Sequence, residues 1–248
     1  MNYLPRIALF TVFFSLSACQ MLSPSGIAQQ PFQFEHKTPN CKGDDCPLVN
    51  IESFKVPDNP ALTRIVEQRL LELAQQSSPD NIPKANDLRS YERNFLERAN
   101  KRQAVYLQAE IIEQRPNWAI IELSSYLELG GAHGLPGRGF INYDLQHSRE
   151  TTLKDWLVPG KEEQFWRAVQ RAHQRWLVEK ELTNDPTSLE NYLKQWPFTQ
   201  TNNIALTPNE LLLKYAVYTL APYSSGHPQL KIPYSELKGI LRDEVIPR

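Results

Sequence analysis

Hydrophobic and polar positions alternate along Leu48–Val56 with a period of two, which predicts a strand. Asn59 followed by Pro60 then opens a helix, because an Asn side chain caps free N–H groups and proline fits the first turn. Leu62, Ile65, Val66, Leu70 and Leu73 place one apolar stripe on that helix, and Pro79 and Pro83 stop it. A second, more polar helix is expected over 86–101. A hairpin follows. Val105, Leu107, Ala109 and Ile111 face inward, opposite Tyr106, Gln108 and Glu110. After a turn at Arg115-Pro116-Asn117, Ala119, Ile121, Leu123 and Leu127 face in, and Glu122, Ser124, Tyr126 and Glu128 face out. Five of the ten glycines then crowd into 130–139, ahead of a third strand at Phe140–Leu145.

Helical spacing returns with Phe165, Val169, Ala172 and Trp176, and again after Asp185-Pro186 with Leu189, Tyr192, Leu193 and Trp196. Strands are expected at 211–220 and 229–232, with a short helix over 235–241. Blocks of strands and helices joined largely by hairpins predict an α+β fold, an antiparallel β-sheet packed against helices. One domain spans 47–248, with a division into subdomains 47–115 and 116–248 as an alternative.

Composition changes little in this picture until the ends are read. Hydrophobic residues make up 41% and charged residues 22% of 248, enough apolar material for a sizeable core. The formal net charge of −1 argues against nucleic acid as a partner, since phosphate binding needs a basic face. The first eighteen residues are different. Arg6 precedes an apolar run from Ile7 to Leu16, and Leu16-Ser17-Ala18-Cys19 fits the bacterial lipoprotein cleavage box. Residues 1–18 are therefore expected to be a signal peptide and Cys19 the acylated residue that ties the protein to a membrane. Gln20, rather than aspartate, after that cysteine favours the outer membrane, facing the periplasm. Past residue 19 no apolar run is long enough to span a bilayer. Gln, Ser and Pro dominate 20–40, so 19–46 is expected to be a flexible tether stapled locally by a Cys41–Cys46 disulfide.

Two blocks then resemble a known family. The first runs from Tyr126-Leu127-Glu128-Leu129-Gly130-Gly131-Ala132-His133-Gly134 through Phe140-Ile141-Asn142-Tyr143-Asp144-Leu145 to Thr152-Leu153-Lys154-Asp155. The second is Tyr218-Thr219-Leu220-Ala221-Pro222-Tyr223-Ser224-Ser225-Gly226-His227-Pro228, with Ile232-Pro233-Tyr234-Ser235-Glu236-Leu237 after it. Together they resemble the RsiV-like extracytoplasmic domain, catalogued as a domain of unknown function. The resemblance implies a mixed antiparallel sheet backed by helices. It also implies a binding role, because in the RsiV anti-sigma factor this domain binds host lysozyme. The chain shows neither a cytoplasmic segment nor the deacetylase that accompanies the domain elsewhere, so no sigma factor is expected as a partner.

Several residues invite chemistry. Gly130-Gly131-Ala132-His133-Gly134 could cradle an anion, but it lies between strands and not before a helix, so a tight turn is the plainer reading. His133, Asp144 and His227 could form a metal or acid–base site if their loops meet. Neither a His-x-x-x-His nor a Cys-x-x-Cys spacing supports that, and histidines tying turns together explain them as well. No cofactor or metal is expected. Tyr223, within the second block, joins the candidate binding residues. The outward face of the hairpin, with Glu110, Glu122 and Glu128 beside Tyr106 and Tyr126, would suit a basic protein such as lysozyme. Two functions compete: a lipid-anchored envelope protein that binds a lysozyme-like protein or a peptidoglycan component, and a peptidoglycan-acting enzyme using His133 or His227.

Overall fold

A computed structural model describes residues 26–182 and 185–247. Cys19 and the expected signal peptide lie outside the described residues. Among the described residues there are nine strands, in two sheets, and five α-helices: β1 (Gln30–Lys37), β2 (Leu48–Lys55), α1 (Pro60–Gln76), α2 (Leu88–Arg98), β3 (Ala104–Arg115), β4 (Trp118–Glu128), β5 (Leu135–Asp144) and β6 (Arg149–Thr151) make up the first half. The second half comprises α3 (Leu153–Trp156), α4 (Glu162–Glu179), α5 (Pro186–Gln195), β7 (Ile204–Leu206), β8 (Glu210–Lys214) and β9 (Gln229–Pro233). The fold is α+β. The larger sheet runs in chain order from β1 to β6, and the smaller is β7-β8-β9. All pairs are antiparallel except β2 with β3, which lie parallel because α1 and α2 cross over between them.

The α1 start is as the sequence dictates. Asn59 Oδ1 accepts from the Leu62 N–H at 3.0 Å and also from the Tyr143 hydroxyl at 3.1 Å, so one cap fixes the helix to a buried residue of β5. Leu62, Val66 and Leu70 are fully buried against Ile51, Leu107, Ile121 and Ile141 on one face of the large sheet. Each such side chain contributes about 1.5–3 kcal/mol by leaving water. The opposite face of β4 and β5 presents Ile120 and Phe140, which are also buried, but in a second core with α4 and the small sheet. The large sheet is thus covered by helices on one side and half-covered by the second module on the other.

A buried polar joint holds the two sheets together. Asn142 of β5 donates from Nδ2 to the Ile204 carbonyl at 2.7 Å and accepts at Oδ1 from the Leu206 N–H at 2.9 Å. It serves as a fragment of strand for β7. Among the described residues no helix is long and apolar enough to cross a membrane.

Four expectations need correction. The proposed tether contains β1, which pairs with β2 from Gln30–Lys55 to Lys37–Leu48. Phe32 and Phe34 alternate on its one half-buried face, with the Arg89 guanidinium 3.6 Å from the Phe34 ring centre. Glutamines and a proline masked that alternation. The Cys41–Cys46 disulfide is present, closing the turn between β1 and β2. A subdomain boundary at 115/116 would cut the β3–β4 hairpin, whereas the second core gathers chiefly from Trp156 onward. Finally, the strand expected over 211–220 ends at Lys214, and β5 begins five residues before Phe140.

Candidate functional site

Beyond Lys214 the chain leaves the sheet as irregular backbone and returns only at β9. Tyr218 lies on this excursion with φ of +64°, a left-handed conformation that a bulky residue adopts at a cost of about 1–2 kcal/mol. It is also 50% exposed, so burial does not compensate that cost. Opposite it stands the turn between β4 and β5. Gly130 takes φ of +84° there, as the tight-turn reading expects, and Gly131 follows without left-handed strain.

The two segments meet through aromatic rings. The His133 imidazole stacks on Tyr223 with centroids 3.8 Å apart and planes inclined by 20°. Its Nδ1 lies 3.0 Å from the Gly134 carbonyl, which can only accept, so Nδ1 carries the proton. In the neutral ring Nε2 then accepts from the Tyr218 hydroxyl at 3.1 Å. The Tyr223 hydroxyl donates to the same Gly134 carbonyl at 3.1 Å, and the Gly134 N–H donates to the Tyr126 oxygen at 3.3 Å. Trp196, at the end of α5, lies 6.5 Å from the Tyr218 ring in near-parallel orientation. A rim of rings from four parts of the chain results. Sequence reasoning selected His133 and Tyr223 but passed over Tyr218 and Trp196, because a left-handed tyrosine leaves no mark in hydropathy.

His227 belongs to other surroundings. Its Nδ1 donates to the Tyr215 carbonyl at 3.0 Å, while Nε2 is buried with no partner among the described residues. Burial holds its pKa below the ordinary histidine value, against the Tyr215 bond, which raises it; the Arg138 and Lys214 cations lower it further. Asp144, at the opposite end of β5 from the glycine turn, accepts from the Gln146 and His147 N–H groups and binds the His147 ring at 2.7 Å. His133, Asp144 and His227 therefore do not converge. Among the described residues no group of three or more His, Cys, Asp or Glu side chains could hold a metal ion.

The expected acidic face is likewise modified. Glu110 and Glu122 stand directly opposite on β3 and β4, and Glu128 pairs with Ala104. Glu122, however, accepts a hydrogen bond from the ammonium of Lys214, delivered by the small sheet and itself only 8% exposed. Arg138 comes to within 3.9 Å of the same carboxylate. Both cations thus gather on Glu122, while Glu110 and Glu128 stay without such a partner among the described residues and Glu52 of β2, paired with Gln108, adds a further acid to the face. Tyr106 remains 43% exposed on it, opposite Tyr126.

Comparison with known proteins follows the same geometry. The family description "Protein of unknown function (DUF3298)" matches residues 154–235. A crystal structure of a DUF3298 family protein from Pseudomonas aeruginosa PAO1 is 45% identical, with a TM-score of 0.83, over 90% of this chain and 98% of that one. A member from Bacteroides fragilis NCTC 9343 shares the fold at 17% identity, with a TM-score of 0.66, over 87% and 94% of the two chains. No curated protein matches the chain.

Proposed function

The chain belongs to the DUF3298 family, and from that premise we propose that it is a binding module of the cell envelope. It is anchored by acylated Cys19 in the outer membrane and recognises a lysozyme-like protein or a peptidoglycan component. The observation that carries this reading is Tyr218: exposed, in a strained backbone, and hydrogen-bonded to His133. Strain at an exposed aromatic is retained where the ring has something to meet. Tyrosine and tryptophan also supply large contact area at low entropic cost. The glycine turn and the second family block both contribute to the same rim.

The test is titration of the soluble chain from Gly26 against lysozyme and against muropeptides. One of them binds in the micromolar range, and Tyr218→Ala weakens it about tenfold, or 1.4 kcal/mol. Affinity no better than millimolar for both removes the proposal. Anchoring is tested separately: Cys19→Ser moves the protein from the membrane to the soluble fraction.

A further inference from the structure

The excursion that carries Tyr218 and Tyr223 is held unevenly. Leu220 and Ala221 are buried, and the Tyr192 hydroxyl donates to the Leu220 carbonyl at 2.7 Å, so its middle is fixed. Between Ala221 and Pro228 runs a limb, 222–227, in which no residue is buried. Tyr223 attaches it outward, through the stack on His133 and the bond to the Gly134 carbonyl. His227 attaches it inward. Its Nδ1 donates to the Tyr215 carbonyl at 3.0 Å, and beside it the Tyr215 N–H donates to the Pro228 carbonyl at 2.8 Å. Tyr215 is buried, so these two bonds tie the limb to the core.

The inward tie depends on the charge of one ring. The Tyr215 carbonyl can only accept, so Nδ1 carries the proton of neutral His227 and Nε2 has none. Nε2 is buried and has no hydrogen-bond partner among the described residues. The charged groups that face the ring are Arg138 of β5, Lys214 of β8 and Glu122 of β4. Glu122 already accepts from the Lys214 ammonium and lies 3.9 Å from Arg138, so it is shared between two cations. A second proton on His227 therefore creates a buried N–H without an acceptor and a third cation in the cluster. Burial, and after it the two cations, hold the pKa below the ordinary 6.5. The neutral ring thus stabilises the closed limb above that pH, and the effect is lost as pH falls below it. His133 offers no such lever, because a proton on its Nε2 meets the Tyr218 oxygen, which accepts as well as donates.

We propose that the rim is an acid-released clamp: a proton taken up by His227 frees 222–227 from Tyr215, and Tyr223 then leaves its stack on His133. The consequence, capture at neutral pH and release in acid, rests on the rim being a binding surface. The test needs no ligand, so its failure leaves that reading standing, and failure of that reading leaves the opening itself intact. Hydrogen exchange of the full chain is followed at about pH 7 and about pH 5, each amide referred to its intrinsic rate and to β3 and β4 as a stable reference. Protection over 222–228 is expected to fall about tenfold more than that of β3 and β4, which uptake of one proton supplies within about one pH unit. His227→Asn keeps a donor near the place of Nδ1 and does not titrate, so it abolishes that fall. Arg138→Gln removes one of the two cations and lets the proton into the closed limb, so the fall shrinks several-fold. Equal protection at the two pH values, or a fall undiminished in either variant, overturns the proposal.

Discussion

Tyr218 separates stability from function within a single residue. Replacing it with glycine removes the left-handed penalty but also the hydroxyl bond to His133 and the ring contacts with Trp196 and Tyr223, and it loosens the unfolded chain, so Tyr218→Gly is expected to leave the unfolding free energy in urea within about 1 kcal/mol of the unaltered chain. The same variant loses the rim's ligand. Two histidines report on pH. His173, 4% exposed and stacked on Trp176 at 5.9 Å, has its pKa lowered by burial, as His227 does. Both folded-state values are depressed, so the unfolded chain takes up protons first. Their stabilising effect is present above the ordinary histidine value of 6.5 and is lost as pH falls below it. Melting temperature therefore declines between about pH 7 and 5, and His173→Phe flattens that decline. Gly137 is legible only in three dimensions: a Cβ there would lie 2.4 Å from Ser125 Oγ and 3.0 Å from Leu73 Cδ1 of α1. Gly137→Ala costs about 1–2 kcal/mol, read by chemical denaturation.

At the scale of elements, periodicity served well where an element buries one clean face. Asn59-Pro60 and Asp185-Pro186 mark helix starts that are realised, with Asp185 accepting from the Thr187 and Ser188 N–H groups. The β3–β4 alternation holds from Val105 to Leu127, apart from a bulge near Ile112. It failed at β1, where the strand is an edge with two half-buried aromatics and polar neighbours. There cohesion comes from α2: Glu92 accepts from His36, and the Thr38 hydroxyl donates to the Leu96 carbonyl at 3.1 Å. It missed the first half of β5, Leu135–Gly139, because glycine and proline occupy strand positions under α1 and beside Tyr126, while the expected strand from Phe140 is present. The candidate site was half legible for the same reason. The family blocks contain Tyr126, His133, Tyr218 and Tyr223, but how these rings and Trp196 meet depends on how an irregular loop folds back. Removing β1 exposes the long β2 edge, so a chain begun at Cys41 is expected to melt lower and aggregate. Chromatography and scanning calorimetry check that. Opening the Cys41–Cys46 loop with Cys→Ser changes costs roughly 2 kcal/mol by loop entropy.

For the whole molecule, the junction of the two sheets decides whether it unfolds as one body. Asn142 is 4% exposed and bonds two backbone groups of β7, so Asn142→Leu leaves both unpaired at about 1–3 kcal/mol each. A single melting transition in the unaltered chain becomes two in that variant, with the second module opening first. Differential calorimetry distinguishes the outcomes. The position of β1 has a further consequence for where the molecule can operate. The first strand of the described residues begins at Gln30, ten residues of chain beyond Cys19. Even stretched taut, they reach at most about 35 Å. Under the proposed mooring at Cys19, a protein on so short a line does not patrol the envelope, and a ligand of the proposed rim must arrive at the bilayer surface.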